Sequence, residues 1–383
     1  MTTSLVAIRL RSVVDAIEVI EQTWQQGDAV LPLDAHAPDH VAADLVRRLR
    51  PAALVTNRPD GTGRKVVRLS DDAAVPGGTG VVVASSGSTG EPKGVVLSHV
   101  ALEASAAASV ERLGCQPGQR WWLDLPLHHV AGLQVLRRSA MLASAPVLAD
   151  ADGRLADANW LALVPTQLER LLRDVIELAG KGILLGGSAA PADLLERGSR
   201  AGIVVVRSYG MTETCGGCVY DGRPLSGVEV AVDPAGVIRV RGRPVATGLR
   251  QPDGSIVPVT DDDGWFCTND LGRLDDGVLT VLGRADAVIV TGGENVAAEA
   301  VETALRRHAE VADAAVFGPV DPEWGQRVVA LVVPTDPTAP PSPEELREHV
   351  AGYLGRHAAP KEVRFVADLP RTGLGKIDRT ALH

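Results

Sequence analysis

One segment constrains the fold of this sequence more than any other: a strand-like run of valines that leads into a Gly/Ser loop and a lysine. Residues 81–83 are all valine, which indicates a buried strand. The loop and the lysine after it comprise Ser85, Ser86, Gly87, Ser88, Thr89, Gly90 and Lys93. Small residues leave backbone N–H groups uncovered, and these groups together with hydroxyls and an ammonium bind anions. The segment therefore predicts a polyphosphate site.

Two other interpretations of this segment are weaker. A Walker-type P-loop has a Ser or Thr directly after its lysine, and here Gly94 follows Lys93. A flexible surface linker would also be rich in Gly and Ser, but the valine strand before the loop and the Pro-Lys-Gly at residues 92–94 argue against it. We therefore keep the anion-binding hypothesis.

Length and composition predict a globular protein of more than one domain. The chain has 383 residues, of which 45% are hydrophobic and 22% charged. Its net charge of −10 argues against nucleic acid or an anionic membrane as the main partner. The four cysteines are too few for a disulfide framework. We see neither a signal-peptide pattern nor an apolar run of ~18 residues, which predicts a cytoplasmic location without a membrane span.

Alternating helical and strand-like patterns predict an α/β fold. Residues 12–26 and 39–49 have apolar residues at helical spacing, and residues 29–33 and 51–56 read as strands. This alternation implies a mostly parallel sheet covered by helices. From about residue 227 to 280 the pattern changes to short strands with turns, which predicts a small β-subdomain. The last hundred residues predict a compact α+β domain.

Two pairs of residues suggest a metal site, but neither pair has the ligands to form one. His128 and His129 are adjacent, so their side chains point apart on a strand or a helix. Cys215 and Cys218 form a single Cys-x-x-Cys without the second pair that a structural zinc site needs. A redox role would need a thioredoxin-like context, which is absent. We expect both cysteines to be buried thiols.

Residues 85–94 resemble the phosphate loop of adenylate-forming enzymes, a family that includes acyl-CoA and aryl-CoA synthetases, peptide-synthetase adenylation domains and luciferases. Later segments are similar to further motifs of this family and occur in its order: residues 126–133, 208–214, 263–272, 281–289 and 369–379. The resemblance implies an N-terminal AMP-binding domain over residues 1–283, with its N-terminal part shortened, and a mobile C-terminal lid over residues 284–383. The implied hinge is Asp286.

The resemblance also implies the nucleotide site. The residues it assigns to ATP or AMP are Ser85, Ser86, Gly87, Ser88, Thr89, Gly90, Lys93, Gly186, Gly187, Ser188, Ser208, Tyr209, Gly210, Met211, Thr212, Asp270, Arg284 and Lys376. Tyr209 offers a face for stacking on adenine, and Glu213 offers a carboxylate oxygen for Mg²⁺. The implied catalytic residues are His129, Thr212, Glu213 and Lys376. Asn269 stands where the family usually has Gly, which leaves the local turn geometry open.

The implied reaction activates a carboxylic acid as an acyl-adenylate and then transfers it to CoA, with Gly292, Gly293 and Glu294 lining the CoA tunnel. The shortened N-terminal region and residues 127–139 are similar to the short o-succinylbenzoate–CoA ligases of actinobacteria, which implies an aryl keto-diacid, 2-succinylbenzoate, as the acid. The residues assigned to the acid are His129, Ala131, Gly132, Arg137, Arg138, Gly187 and Ser188. One carboxylate of a diacid stays charged and needs a cation or several donors.

Several alternatives stay open at this stage. Arg137 and Arg138 could be solvated helix charges, which is the commoner fate of arginine. The enzyme could be another aryl- or acyl-CoA ligase, or a stand-alone adenylation enzyme that loads a carrier protein. A non-enzymatic ATP-binding module is disfavoured because Glu213 and Lys376 are both present. The sequence leaves a homodimer open.

Overall fold

The structure is a computed structural model that describes residues 2–60, 63–86, 92–149, 154–174, 176–292, 294–371 and 377–382. Its contacts divide the chain into two units: Met1–Val230 with Arg239–Cys267, and Ala231–Ile238 with Thr268–His383. The division differs from the predicted boundary, because the predicted hinge Asp286 lies inside the second unit. The domain limits 1–283 and 284–383 therefore stay predictions.

The first unit contains two large sheets. In the described residues, eight strands form the first sheet, in the order Ile256–Val257, Gly248–Arg250, Pro92–Ser98, Thr79–Ser86, Ala29–Pro32, Leu5–Arg9, Ala53–Asn57 and Arg64–Arg68. Seven described strands form the second sheet, in the order Val147–Leu148, Trp121–Leu123, Trp160–Leu163, Gly182–Leu185, Val204–Met211, Gly216–Tyr220 and Arg223–Pro224. Both sheets are mixed: their inner strands are largely parallel and antiparallel strands complete them. A short antiparallel pair joins Thr2–Thr3 to Val75–Pro76.

Helices cover these sheets and separate them. The α-helices of the first unit are α1 (Val13–Gln25), α2 (Asp39–Leu49), α3 (His99–Leu113), α4 (Val130–Met141), α5 (Pro165–Arg173) and α6 (Ala192–Arg200). Helix α3 packs against strand Pro92–Ser98 of the first sheet and against strand Gly216–Tyr220 of the second. Helix α4 packs against α3 and against the same strand of the second sheet. A helical layer therefore lies between the two sheets, and its polar residues are enclosed from both sides.

The second unit is smaller and has its own core. Strand Phe266–Asp275 forms a hairpin with Val278–Arg284, and this hairpin belongs to the second unit from Thr268 onward. The boundary between the units also divides strands Val228–Val232 and Val237–Gly242. Beyond the hairpin, the strands are Val288–Thr291, Glu294–Ala297, Val311–Phe317, Val320–Asp321, Gly325–Gln326, Val329–Pro334 and Glu362–Phe365, and the α-helices are α7 (Ala298–Leu305) and α8 (Pro343–Leu354). The core packs both helices against the strands through aliphatic side chains such as Val301, Val316 and Leu346.

Short 3₁₀ turns complete the helical content of the described residues. They are Leu155–Asp157, Thr212–Thr214, Ala285–Ala287, Arg356–Ala358 and Arg379–Ala381.

Most predicted elements agree with the structure to within a few residues. Ser98 caps α3, as predicted, because its hydroxyl accepts from the Ala101 N–H at 3.0 Å. The helix predicted to reach residue 179 ends at Arg173. There the Ile176 N–H turns back to the Leu171 carbonyl, which closes the helix.

The predicted β-subdomain at residues 227–280 is wrong in one part. Strands Gly248–Arg250 and Ile256–Val257 belong to the first sheet, because Gly248 pairs with Val96 on the edge of strand Pro92–Ser98. The pairing satisfies the second edge of a strand whose Val95, Val96 and Leu97 side chains are fully buried. The approach is so close that a Cβ at Gly94 would lie 2.6 Å from Leu49 and 3.2 Å from Arg250.

Candidate active site

The base of the predicted phosphate loop is an antiparallel hairpin. The predicted strand is confirmed, since Val81, Val82 and Val83 are 0–1% exposed within strand Thr79–Ser86. Ser85 stands opposite Lys93 on the partner strand, so their side chains lie on the same face of the sheet. Gly87, Ser88, Thr89 and Gly90, and the side chain of Ser86, lie outside the described residues. The structure thus places one hydroxyl and the lysine where the two strands enter and leave the loop.

The turn Thr212–Thr214 lies beside this hairpin, in contact with strand Pro92–Ser98. Its geometry is fixed by Thr214, whose buried hydroxyl accepts from the Met211 N–H at 2.9 Å and lies 2.8 Å from the Gly216 carbonyl oxygen. The Ala246 N–H donates to the Glu213 carbonyl at 2.8 Å. The side chains of Thr212 and Glu213 are half-buried, and no described residue forms a salt bridge with Glu213. The turn therefore presents a hydroxyl and a carboxylate on a rigid backbone.

The predicted adenine segments end on neighbouring strands. Strands Gly182–Leu185 and Val204–Met211 are parallel, so Gly186 and Ser208 emerge at the same edge of the second sheet. A Cβ at Gly186 would lie 3.5 Å from the Ser208 Cβ, and Gly187 has a φ of +87°. Gly210 must be glycine because a Cβ there would lie 2.0 Å from the Gly216 carbonyl oxygen. Tyr209 is half-buried on this strand, whereas Ser188 is exposed.

The predicted acid residues lie at the start of α4. His129 is the N-cap residue of α4, and its N–H donates to the Pro126 carbonyl at 3.1 Å. Its ring centroid lies 4.3 Å from that of His128, so the expectation that these two side chains point apart is wrong. Ala131 is half-buried in the first turn. The role predicted for Gly132 differs in the structure, because a Cβ there would lie 2.4 Å from the Pro126 carbonyl oxygen. Gly132 therefore makes room for the chain's own backbone and does not widen an acid pocket.

The structure separates the two predicted arginines, which follow each other on α4. Arg137 places its guanidinium 3.9 Å from the Trp24 ring centroid and Nη2 2.6 Å from His99 Nδ1. These contacts pack Arg137 against α1 and α3. Its Nε, like that of Arg138, has no hydrogen-bond partner among the described residues, so its role as an acid ligand stays a prediction. Arg138 is only 4% exposed, so the alternative of a solvated charge is wrong for it. Its guanidinium lies 4.2 Å from the Trp121 ring centroid.

Sequence reasoning missed the buried polar layer around Arg138. The buried polar atoms here that have no hydrogen-bond partner among the described residues are Trp121 Nε1, Gln134 Oε1, Arg138 Nε and Ser139 Oγ. Gln134 and Arg138 are one helical turn apart and share one face of α4. A Cβ at Gly216 would lie 3.8 Å from Gln134 Cγ, so this face is turned toward strand Gly216–Tyr220. Uncompensated polar groups in residues that are 0–4% exposed are costly unless something else binds them.

The two cysteines after the Thr212–Thr214 turn are buried thiols, as predicted. Cys215 and Cys218 are 0% and 1% exposed. Burial raises the pKa of the Cys218 thiol to about 12 and that of Cys215 further, so both stay protonated and poor metal ligands. Cys215 adopts a φ of 55°, and its carbonyl accepts from the Ser105 hydroxyl at 3.2 Å. The pair therefore belongs to the wall between strand Gly216–Tyr220 and the helices.

In the second unit, Asp270 and Arg284 face each other across the hairpin. They are a registered pair, with Asp270 Oδ1 3.9 Å from Arg284 Nη1. Asp270 is 9% exposed, and its N–H donates to the Thr268 hydroxyl at 3.1 Å. Asn269 lies in strand Phe266–Asp275 without a positive φ, so the turn expected from the family's glycine does not occur here. The replacement of Gly by Asn therefore causes no backbone strain.

The predicted CoA loop packs on a tryptophan. The Gly292 N–H donates to the Trp324 carbonyl at 2.9 Å, and a Cβ at Gly292 would lie 3.0 Å from the Trp324 ring. The ammonium of Lys361 lies 3.9 Å from the centroid of that ring. Glu294 is exposed, and Gly293 lies outside the described residues. An exposed aromatic face with a cation beside it was not predicted, because Trp324 and Lys361 are distant from the loop in sequence.

Lys376 lies outside the described residues, as does the side chain of the predicted hinge Asp286. The residues that flank the segment of Lys376 are anchored in the second unit. Arg371 and Ile377 form an isolated antiparallel bridge, and Arg371 also pairs with Asp313. On the far side, Arg379 Nη2 lies 3.1 Å from Glu302 Oε1, and its Nη1 donates to the Val316 carbonyl at 3.1 Å. The two ends of the segment are therefore held close together.

Comparison with known proteins identifies the class. The chain matches the AMP-binding enzyme family over residues 71–250 and the AMP-binding enzyme C-terminal domain over residues 300–376. It is 46% identical over 335 residues to the probable 2-succinylbenzoate–CoA ligase of Mycobacterium tuberculosis, which covers 82% of this chain and 85% of that protein. It is 35% identical over 344 residues to the 2-succinylbenzoate–CoA ligase of Bacillus licheniformis, with 82% and 70% covered.

Solved structures agree with this assignment. The o-succinylbenzoate CoA synthetase of Bacillus subtilis, in complex with the acyl-adenylate intermediate OSB-AMP, superposes with a TM-score of 0.82 at 26% identity, covering 99% of this chain and 87% of that one. The MenE protein of E. coli with a bound OSB-AMS analogue gives a TM-score of 0.79 at 27% identity, with 95% and 84% covered. The chain therefore belongs to the family of AMP-binding, adenylate-forming enzymes. Within that family it is an AMP-forming acid–CoA ligase, and the predicted α/β fold class is confirmed.

None of the helices that the structure describes is both long enough and apolar enough to cross a membrane.

Proposed function

We propose that this protein is a 2-succinylbenzoate–CoA ligase of menaquinone biosynthesis. It uses ATP to convert the acid to an acyl-adenylate with release of pyrophosphate, and it then forms the CoA thioester with release of AMP. The ligases of Mycobacterium tuberculosis and Bacillus licheniformis named above support this substrate. The observation that carries the proposal in this chain is Arg138, a buried cation without a carboxylate partner.

Arg138 meets the requirement of a diacid substrate. Its side chain is 4% exposed, burial lowers its pKa, and no carboxylate in the described part of the chain forms a salt bridge with it. A buried charge is strongly unfavourable until an opposite charge or several hydrogen bonds compensate it. The second carboxylate of a diacid provides that compensation, and Arg138 Nε still has its hydrogen to donate. Benzoate or a fatty acid would leave the guanidinium uncompensated.

The spacing along α4 supports this role for Arg138. His129 caps the helix where the carboxylate to be activated is expected, and Arg138 lies nine residues, or two and a half turns, further along. Nine residues of α-helix span about 13.5 Å, a length that the acid covers together with the long arginine side chain, because helical side chains lean toward the helix N-terminus. Between the two ends, Gln134 and the glycines that begin strand Gly216–Tyr220 line the path with little side-chain bulk. We propose this path as the acid pocket.

The first half-reaction needs groups that hold a triphosphate and stabilise charge at the α-phosphorus. Ser85, Lys93 and the loop between them hold the β- and γ-phosphates, and the Thr212 hydroxyl donates to the α-phosphate. The carboxylate oxygen of Glu213 fits Mg²⁺, which prefers one or two carboxylates together with substrate phosphate oxygens. When bound, the ion neutralises part of the charge on those oxygens. Lys376 also acts at the α-phosphate, and Asp270 accepts hydrogen bonds from the ribose hydroxyls.

The second half-reaction brings the CoA thiol to the same carbonyl carbon. Its sulfur forms the thioester bond while the bond from carbon to the AMP oxygen breaks. We propose that Gly292, Gly293 and Glu294 line the pantetheine path, and that Trp324 and Lys361 extend it with an aromatic face and a positive charge. A lid rotation about Asp286 would exchange Lys376 for this loop between the two half-reactions. A cytoplasmic location stays a prediction, and the oligomeric state stays open.

A substrate panel tests the proposal. The wild-type enzyme is assayed for AMP formation with 2-succinylbenzoate, benzoate, 4-chlorobenzoate and medium-chain fatty acids at equal ATP and CoA. We expect kcat/KM for the diacid to exceed that for each monoacid by at least about tenfold, or 1.4 kcal/mol of transition-state binding. A monoacid preferred by that factor would contradict the substrate and retain the ligase class. Replacing CoA by a carrier protein separates a ligase from a stand-alone adenylation enzyme.

A further inference from the structure

The guanidinium of Arg138 lies over a stacked pair of tryptophan rings. Trp121 is 0% exposed, and the Arg138 guanidinium lies 4.2 Å from the centroid of its ring. Trp160 in turn stacks on Trp121, with 5.7 Å between the ring centroids and 24° between the ring planes. The three groups are therefore packed in series, Trp160 against Trp121 and Trp121 against the cation.

The second sheet fixes both rings. Trp121 and Trp160 are registered neighbours on parallel strands, so their side chains lie on the same face of the sheet. The next strand carries Gly182 in register with Trp160, and a Cβ there would lie 2.3 Å from the Trp160 ring. The indole N–H of Trp160 donates to Gln119 Oε1 at 3.1 Å. The glycine makes room for Trp160 and the amide holds it, so Trp121 rests on a fixed partner.

An aromatic ring restrains a guanidinium without neutralising it. The negative face of the ring attracts the cation, and the attraction is larger where water is excluded. All N–H donors of a guanidinium lie in its plane, so a group packed on its face leaves its edge free for the two parallel hydrogen bonds of a carboxylate. An Asp or Glu in the place of Trp121 would also hold Arg138 but would cancel the charge that a substrate carboxylate needs.

The donors of these two side chains match an acidic ligand. Arg138 Nε and Trp121 Nε1 are buried, and neither has a hydrogen-bond partner among the described residues. Both groups only donate, and the oxygens of an ionised carboxylate only accept. The contact between Arg138 and Trp121 therefore joins an oriented cation to a second buried donor.

We infer that Trp121 is a positioning residue for substrate recognition: its ring, supported by Trp160, holds the edge of the Arg138 guanidinium toward the distal carboxylate of the acid and so favours diacids over monoacids. This inference rests on the proposed function, since it assumes that Arg138 binds that carboxylate. It extends the determinants of specificity from α4 to the second sheet.

The test replaces the ring of Trp121 by an apolar chain. Trp121→Met fills much of the space with a flexible side chain that has no aromatic face. We expect KM for 2-succinylbenzoate to rise about tenfold, the scale of one desolvated cation–π contact, because the guanidinium is no longer restrained. The kcat for the diacid, the KM for ATP and the kcat/KM for benzoate should keep their wild-type values. Trp121→Phe keeps an aromatic face and should retain most of the diacid preference.

Tyr353→Met is the matched control. Tyr353 is 55% exposed on α8 of the second unit, and the Arg307 guanidinium lies 5.2 Å from its ring centroid. This variant therefore removes an aromatic face from an arginine that has no proposed role in binding the acid. Its KM for 2-succinylbenzoate should equal that of the wild type.

A double-mutant cycle with Arg138→Leu separates this inference from the proposed function. If Trp121 acts through Arg138, Trp121→Met causes no further loss of kcat/KM for the diacid in the Arg138→Leu background. Equal losses for the diacid and benzoate, additive losses in the cycle, or an unchanged KM in Trp121→Met would overturn the positioning role. If instead Arg138→Leu keeps the full diacid preference, the proposed pocket itself is wrong.

Should Trp121→Met fail to fold, incorporation of 5-fluorotryptophan in place of tryptophan tests the same contact. Fluorine withdraws electron density from the ring and weakens its attraction for a cation, while the indole keeps its shape. We expect the ratio of kcat/KM for the diacid to that for benzoate to fall about twofold in the wild-type sequence and to stay constant in Arg138→Leu, where the other tryptophans are labelled equally. An unchanged ratio in the wild-type sequence, or the same fall in both, would overturn the positioning role.

Discussion

Arg250 and Arg138 are both buried arginines of the first unit, at 3% and 4% exposure, yet they are compensated in different ways. The Arg250 guanidinium is held by backbone carbonyls: Nε donates to Leu49 at 2.9 Å, Nη1 to Ala74 at 3.1 Å, and Nη2 to Ala73. Leu49 is the last residue of α2, where the helix dipole presents partial negative charge. The protein itself therefore offsets the burial of this cation.

The region around Arg138 provides no such set of oxygens. Its neighbours are an aromatic ring, a phenol and a thiol, and its Nε hydrogen has no acceptor among the described residues. Burial lowers the pKa of both guanidiniums, so both regions bear the cost of burying a cation. The comparison shows that the Arg250 site is complete within the fold, whereas we propose that a ligand completes the Arg138 site. A buried charge that the fold leaves uncompensated is a stronger sign of function than burial alone.

The largest effect expected from this comparison is the loss of activity in Arg138→Leu. Removing one partner of a buried charge pair costs about 2–5 kcal/mol, so kcat/KM for 2-succinylbenzoate should fall about 30-fold or more. The melting temperature should change little, because the lost cation–π contact is offset by the removal of an uncompensated buried charge. Steady-state kinetics with a diacid and a monoacid measure the change in kcat/KM, and thermal unfolding measures the change in melting temperature. A large loss of stability with an unchanged substrate preference would make Arg138 structural like Arg250.

Local patterns in the sequence predicted the elements better than they predicted this site. Helix α2 occupies the predicted residues 39–49, because apolar spacing within one helix is local information. The contacts of Arg250 with Leu49 and of Arg138 with Trp121 join residues that are distant in sequence, which no local pattern reports. The same reason explains why the strand at Ile256–Val257 was predicted in the β-subdomain and not in the first sheet. The sequence does not distinguish the roles of Arg138 and Arg250, and only the packing of the fold does so.

The next largest effect is expected for stability, in Arg250→Leu. This substitution removes the donor of three backbone carbonyls, and the carbonyls that stay buried become unsatisfied acceptors. We therefore expect the free energy of unfolding to fall by about 2–4 kcal/mol. The ratio of kcat/KM for diacid and monoacid should stay at the wild-type value. Urea unfolding and the substrate panel measure the two quantities. Arg250→Lys is the matched control, since it keeps the charge but cannot donate to all three carbonyls. A changed ratio of kcat/KM for diacid and monoacid, together with wild-type stability, would contradict the structural role of Arg250.

The smallest effect extends the comparison to the second unit, where carboxylates meet an arginine. Arg379 lies 3.1 Å from Glu302 and 3.6 Å from Glu299. Burial raises the pKa of Glu299, and Glu302 and Asp270 add to this, whereas Arg379 and Arg284 oppose it. A carboxyl whose folded pKa is raised contributes its full stability below the ordinary value of 4.5 and loses it as the pH rises through the folded pKa. In Glu299→Gln the side chain cannot ionise, so this loss of stability at higher pH does not occur.

We therefore expect the stability of Glu299→Gln relative to wild type to be higher at about pH 7.5 than at about pH 4.5, because only the wild-type protein has the carboxyl whose pKa folding raises. Urea unfolding midpoints at both pH values measure the difference between the variants, which cancels the titration of groups that they share. The exposed Glu323→Gln is the matched control and should show a constant difference. A difference that shrinks with rising pH would mean that Arg379 outweighs burial at Glu299. In that case the Glu299 carboxylate would compensate the charge of Arg379, as the backbone carbonyls compensate that of Arg250.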